Sequence, residues 1–125
     1  MARILVLVFI GGGVGAIARE LLMLWVRVAH DGFPTDILVA NVVGSLVLGI
    51  TAALHASRRI GDLGNAIVGT GFCGGLTTFS SFAYASVVLM AASTQGAMVA
   101  VAYVVLSLIL GYGAVRLGEL IGRRV

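Results

Sequence analysis

Apolar residues fill the chain in four long stretches, at about 4–28, 37–56, 63–90 and 96–117, each followed by a short polar segment. A hydrocarbon core of about 30 Å takes about 20 residues of helix to cross, so each stretch predicts one membrane span. The fold class expected is therefore all-α integral membrane protein with four transmembrane helices in one domain over residues 1–125. The third stretch departs from the pattern of the others. From Gly69 to Phe82 it reads Gly-Thr-Gly-Phe-Cys-Gly-Gly-Leu-Thr-Thr-Phe-Ser-Ser-Phe, rich in glycine and hydroxyls between apolar flanks. Lipid cannot satisfy free backbone N–H and C=O groups, so irregular backbone at that depth must be packed in protein or line a watery cavity. The stretch predicts a broken third helix that stops near Gly74 and Gly75 and restarts near Thr77 or Thr78. Restarted N–H groups favour anions and freed carbonyls favour cations. Close helix packing through small residues is the competing explanation. It leaves Thr77, Thr78, Ser80 and Ser81, interleaved with Phe79 and Phe82, without a role.

Polar positions inside the other spans add candidates. The first span opens with Arg3, an apolar run and small residues, as a signal peptide does, but apolar character resumes at Leu21 and continues through Trp25. Gly11 with Gly15, and Gly12 with Ala16, have the spacing of a close helix contact. Arg19 and Glu20 interrupt this span. Arg19 either holds a vestibule attractive to anions or reaches an interface along its aliphatic stem. Adjacent helical residues point about 100° apart, so the two need not pair. Thr35 or Asp36 is a candidate cap for the second span. Asn41, the strongly polar residue within it, bonds to a neighbouring helix or faces a permeation path. Gly44, Ser45 and Gly49 read as packing positions. Phe79 and Phe82, three apart, share a face and carry positive ring edges that suit a small anion. Tyr103 and Ser107, four apart in the fourth span, complete a polar lining or bond to backbone carbonyls. Gly111, Gly113, Gly118 and Gly122 suggest another closely approached face.

Composition narrows the function classes. Of 125 residues 60% are hydrophobic and 10% charged, which excludes a soluble domain and leaves no room for an appended enzyme or nucleic-acid module. The formal net charge of +3 comes from arginine alone. With four spans, both termini and the second loop share a side that collects Arg3, Arg58, Arg59, Arg116, Arg123 and Arg124. The first and third loops offer Arg27. The excess of arginine places both termini in the cytoplasm. Cys73 reads as a small packing residue, and His30 and His55 as interfacial side chains rather than a ligand pair.

Three runs together carry a resemblance: Gly-Gly-Gly-Val-Gly-Ala-Ile-Ala-Arg at 11 to 19, Asn41 followed by Val-Val-Gly-Ser, and Gly-Phe-Cys-Gly-Gly-Leu-Thr-Thr-Phe-Ser-Ser-Phe at 71 to 82. In length, span count and motif order the chain resembles the fluoride ion channel family, Fluc or CrcB. The resemblance implies an antiparallel dimer of four-span subunits with two pores, passing fluoride passively, rejecting chloride and relieving fluoride toxicity at the cell's inner membrane. It implies Asn41 as pore amide, Phe79 and Phe82 as phenylalanines facing the ion, and Ser80 and Ser81 in a hydroxyl track, with Thr78, Tyr103 and Ser107 as further lining. It also implies a structural sodium ion (Na+) between subunits, held by the carbonyls of Gly74 and Thr77. Where the family usually continues Phe-Ser-x-Glu, this chain has Phe82-Ala83-Tyr84-Ala85. The arginine bias favours one orientation, so the expected partner is either a second copy or an oppositely inserted homologue.

Two other classes compete on the sequence. Small multidrug-resistance transporters share the size and use a glutamate in the first span, a part Glu20 would play. A scaffold that packs through glycines would need none of Asn41, Phe79 or Ser81. No nucleophile and base stand at a plausible spacing, so catalysis is the weakest class.

Overall fold

A computed structural model describes residues 1–26 and 32–125, all helical or connecting segments. Arg27, Val28 and His30, and with them the end of the first span and the interfacial role expected of His30, lie outside the described residues. The elements are α1 (Ala2–Trp25), α2 (Thr35–Ala56), α3 (Asp62–Asn65), a π-helical segment (Ala66–Phe72), α4 (Cys73–Leu76), α5 (Phe79–Ala92) and α6 (Thr94–Arg124). Four segments are long and apolar enough to cross a membrane: α1, α2, the run Asp62–Ala92 and α6. Large apolar side chains such as Leu5, Phe9, Leu21 and Leu24 on α1 and Leu108 and Ile109 on α6 stand exposed. Exposure on that scale suits a lipid solvent, where an outward Leu costs nothing. The chain is a multi-pass membrane protein.

Glycine decides how the spans pack. A Cβ on Gly11 would run into the Ile67 carbonyl oxygen, one on Gly15 into that of Phe72, and one on Gly75 into that of Gly12. α1 therefore lies backbone to backbone on the π segment and α4. The π segment is the widened part of the third run, and the α1 backbone crosses it there. The same device joins α2 to α6: Gly49 meets the Val115 carbonyl, and Gly118 the Leu46 carbonyl. Of the four glycines expected on a close face of the last span, Gly118 and Gly122 are tightly approached, Gly111 has only Ser45 Oγ at 3.8 Å, and Gly113 faces open space. In lipid no hydrophobic effect drives helices together, so such contacts supply the packing energy.

Two local expectations are corrected. Thr35 and Asp36 do not cap α2; Pro34 is its N-cap, and both residues lie within the first turn. Proline suits the start of a helix because it has no N–H to satisfy. The third run does not stop at Gly74 and Gly75. It stays helical through Leu76, then Thr77 (φ −80°, ψ 155°) and Thr78 (φ −143°, ψ 115°) are extended before α5 starts at Phe79. Cys73 and Leu76 are buried at 2% exposure, and this packing holds the two glycines in the last turn.

Candidate functional site

Two extended residues between helices leave backbone groups to be satisfied. Asn41 of α2 satisfies those of Thr78: the Thr78 N–H donates to Asn41 Oδ1 at 2.7 Å, and Asn41 Nδ2 donates to the Thr78 carbonyl at 3.2 Å. The amide thus pairs with one backbone unit as a neighbouring strand would. One Asn41 N–H remains for another acceptor, because a primary amide carries two. Thr78 caps α5 from the other side. Its Oγ1 accepts from the Ser81 N–H at 3.2 Å and donates to Ser81 Oγ at 2.9 Å, while Ser80 Oγ stands 3.4 Å away. The Thr77 N–H and hydroxyl both donate to the Cys73 carbonyl at 2.9 Å.

The carbonyls left by the interruption have distinct fates. Continued helix would give the Thr78 N–H to the Gly74 carbonyl, but Asn41 takes that donor, so Gly74 O is released. The Gly75 carbonyl instead accepts from Arg19 Nη1 at 3.2 Å. Arg19 also lies 3.6 Å from Glu20 through Nε and Oε1. Neighbours on a helix diverge at Cα, but long side chains can converge again, as these do. Arg19 therefore ties α1 to the interruption, in addition to its Glu20 contact.

On the α2 and α6 side of the interruption lies an open groove of about 350 Å³. It is lined by Asn41 and Ser45 from α2, Thr77 and Thr78, Phe79 and Phe82 from α5, and Ser107 from α6, with Leu48, Leu108 and Gly111 completing the walls. Six sequence candidates thus meet in one place. Phe79 and Phe82 have ring centroids 5.9 Å apart, and Phe82 continues to Tyr103 at 5.4 Å. Tyr103 is fully buried behind Phe82, and Ser80 and Ser81 stand beside the groove on Thr78 rather than in its wall. Gly74 is exposed outside it. Neither Tyr103 OH nor Ser107 Oγ bonds a backbone carbonyl among the described residues; Ser107 lines the groove and Tyr103 does not. Ser45 was read as packing, yet it lies four residues from Asn41 and so on the same face. Phe33 also escaped the sequence; it meets Tyr103 edge-on at 5.5 Å.

These features define a class: a small helical membrane protein whose third span is interrupted at a groove offering an amide, hydroxyls and two phenylalanines. Comparison with known proteins narrows it. The family model described as CrcB-like protein, Camphor Resistance (CrcB), matches residues 6–119, and the chain belongs to that family. A Brucella melitensis protein named fluoride-specific ion channel FluC 2 is 49% identical over 99% of this chain, which spans 46% of that relative's length. In Yersinia pseudotuberculosis, fluoride-specific ion channel FluC 3 is 44% identical over 98% of this chain and 90% of its own length. The Bacillus subtilis protein named fluoride-specific ion channel FluC 2 is 40% identical over 94% of this chain and 86% of itself. The chain thus spans about half the length of the Brucella relative and nearly all of the Yersinia one.

Proposed function

We propose that the chain is a subunit of a fluoride-selective channel, a conductor rather than an enzyme, that lets fluoride leave the cytoplasm passively and so relieves its toxicity. The observation that carries this reading is the groove at the interruption. Fluoride is small and strongly hydrated, so it enters a pore only where fixed donors replace its water, each weakly enough for the ion to move on. The free Asn41 N–H, the Ser45 and Ser107 hydroxyls and the α5 N-terminus supply such donors, while the Thr77 and Thr78 hydroxyl protons are held by the Cys73 carbonyl and Ser81 Oγ. Phe79 and Phe82 add positive ring edges without a full charge that would trap the ion. Fluoride channel names on relatives that cover nearly this whole chain support the same substrate.

Assembly follows from what one subunit leaves open. Phe79 is 80% exposed although it lines the groove, so a second subunit is needed to close the wall. The proposed arrangement is an antiparallel pair with a broken third helix in each subunit. The partner is a second copy or an oppositely inserted homologue. The arginines of the second loop and the end of α6 support an orientation with both termini in the cytoplasm, and the proposed location is the inner membrane. A structural sodium ion fits the donors present. The Gly74 carbonyl has lost its helical N–H, nothing beyond its own stretch of helix stands within 4 Å of a Cβ placed on Gly74, and Thr77 is extended just beyond; hard carbonyl oxygens suit a hard cation. Gly74 and Thr77 would hold it between subunits, where its charge would steady the two interruptions.

Growth tests the reading in cells. A bacterial strain without its own fluoride export, expressing this chain together with any oppositely inserted homologue from the same source, should grow at fluoride concentrations that stop the empty-vector strain. Equal sensitivity of the two strains, with the chain present in the membrane, would refute the proposal.

A further inference from the structure

A second cleft, of about 470 Å³, opens where α2 and α6 end. Its walls are Ala52, Ala53, Ala56 and Ser57 at the end of α2, with Glu119 and Arg123 from α6. The cleft lies on the face of the two helices that carries the groove. Ala52 is eleven residues beyond Asn41, Ala56 eleven beyond Ser45 and Glu119 eleven beyond Leu108, and eleven residues make about three whole turns of helix. Each pair therefore shares a face, and Arg123 follows Glu119 by one turn. Along α2 a single turn, about 6 Å, separates Leu48 of the groove from Ala52 of the cleft. Toward the start of α6, Phe82 and fully buried Tyr103 meet at 5.4 Å between ring centroids and occupy that end; the cleft stands at the other.

The charges of the cleft do not cancel. Glu119 Oε2 accepts from Arg116 Nη1 at 2.9 Å, so the carboxylate in the wall already has its counter-ion. Arg123 has none, since the other ion pairs among the described residues are Arg19 with Glu20 and His55 with Asp62. The Ser57 hydroxyl turns back to the Ala53 and Leu54 carbonyls at 2.9 and 3.2 Å, which leaves the Arg123 guanidinium as the available donor among the lining side chains. We infer that this cleft collects anions for the groove and that Arg123 is its collecting charge, raising the local fluoride concentration before the ion passes Ser45 and Asn41. A concave site with apolar walls and one sign of unpaired charge focuses the field and concentrates ions of the opposite sign. At 1.5 Å per residue Arg123 stands about 18 Å along α6 from Gly111, so it acts on the approach of the ion and not within the groove. The inference rests on the fluoride-channel reading above. A guanidinium that only complemented the negative end of α6 would leave flux indifferent to its charge.

Fluoride release from liposomes at low fluoride tests it, with the protein purified together with any subunit that accompanies it and an impermeant salt at equal concentration on both sides. At about 0.01 M the Debye length is about 30 Å, and at 1 M about 3 Å, so a fixed charge acts in the first case and is screened in the second. Arg123→Gln should release fluoride about two- to threefold more slowly than the unmodified protein at low salt, with the gap closing at high salt. Arg123→Lys keeps the charge and should match the unmodified protein, slowing as salt is raised. Glu119→Gln frees Arg116 and should raise the low-salt rate by a similar factor. If Glu119→Gln is not recovered folded, the two Arg123 variants decide alone. Equal low-salt rates for Arg123→Gln and the unmodified protein would overturn the inference, as would a gap that salt does not alter or a fall in rate for Glu119→Gln. Absence of fluoride release from the unmodified protein would overturn the channel reading together with it.

Discussion

Replacing Asn41 by alanine should stop fluoride conduction almost completely. The substitution removes both bonds to Thr78, and a buried backbone group left without its partner costs about 1–3 kcal/mol. With two groups stranded in a span, the extended conformation of Thr77 and Thr78 loses its support, and the donors beside it lose their placement. A deficit of about 3 kcal/mol at the conducting step corresponds to a roughly hundredfold fall in flux. Asn41→Asp is the sharper variant. Its carboxylate still accepts the Thr78 N–H but has nothing to donate to the Thr78 carbonyl, and it sets a negative charge beside the path of an anion. Both variants should fall to near the background of empty vesicles in fluoride-electrode efflux. Thermal melting in mild detergent should separate them, with alanine destabilised more than aspartate. Efflux of the alanine variant within a few-fold of the unmodified chain would remove Asn41 from the mechanism.

Gly75→Ala should prevent α1 from docking. The added methyl meets the Gly12 carbonyl oxygen and approaches the Ala16 nitrogen to 2.9 Å. Both are helical backbone, which cannot rotate aside as a side chain would. Overpacking of a well-fitted contact typically costs about 1–3 kcal/mol, and here the two helices must separate along a seam that also holds Gly11 and Gly15. The Arg19 bond to the Gly75 carbonyl would be displaced with them. Gly13→Ala and Gly113→Ala are the controls, since each faces open space. Helix propensity favours alanine there by about 1 kcal/mol. The folded fraction surviving a heat step in mild detergent should therefore collapse for Gly75→Ala and hold or rise for the controls. Equal survival of all three would show that the backbone contact of α1 with α4 carries little of the stability.

Much of this was legible because membrane depth makes strong demands on sequence. Four apolar runs could only be spans, and a glycine and hydroxyl run in the third had to be packed or wet. Gly11 and Gly15 declared a close face by spacing alone. What could not be read was which partners those groups would find. The Asn41 to Thr78 pair joins residues 37 apart, and no periodicity connects them. Helix continuity through Gly74 and Gly75 was misjudged because glycine propensity was weighed without the burial of Cys73 and Leu76, which hold that turn. The π segment is equally silent, since its wider turn answers to the backbone of α1 crossing it rather than to its own residues. Arg19 posed a choice between vestibule and interface, while its bond runs to the Gly75 carbonyl, an acceptor that exists only because the helix ends nearby. Asp36 drew notice as a cap, while it lies within the first turn of α2 behind Pro34.

The most direct measurement is fluoride release from liposomes that hold the protein purified in mild detergent with any subunit that accompanies it. Chloride serves as the control anion, and sodium is present or replaced by a large organic cation. The account predicts fluoride release far faster than chloride release, and a fall when sodium is withdrawn. Release of both anions at one rate, or no release beyond that of empty vesicles, would contradict it.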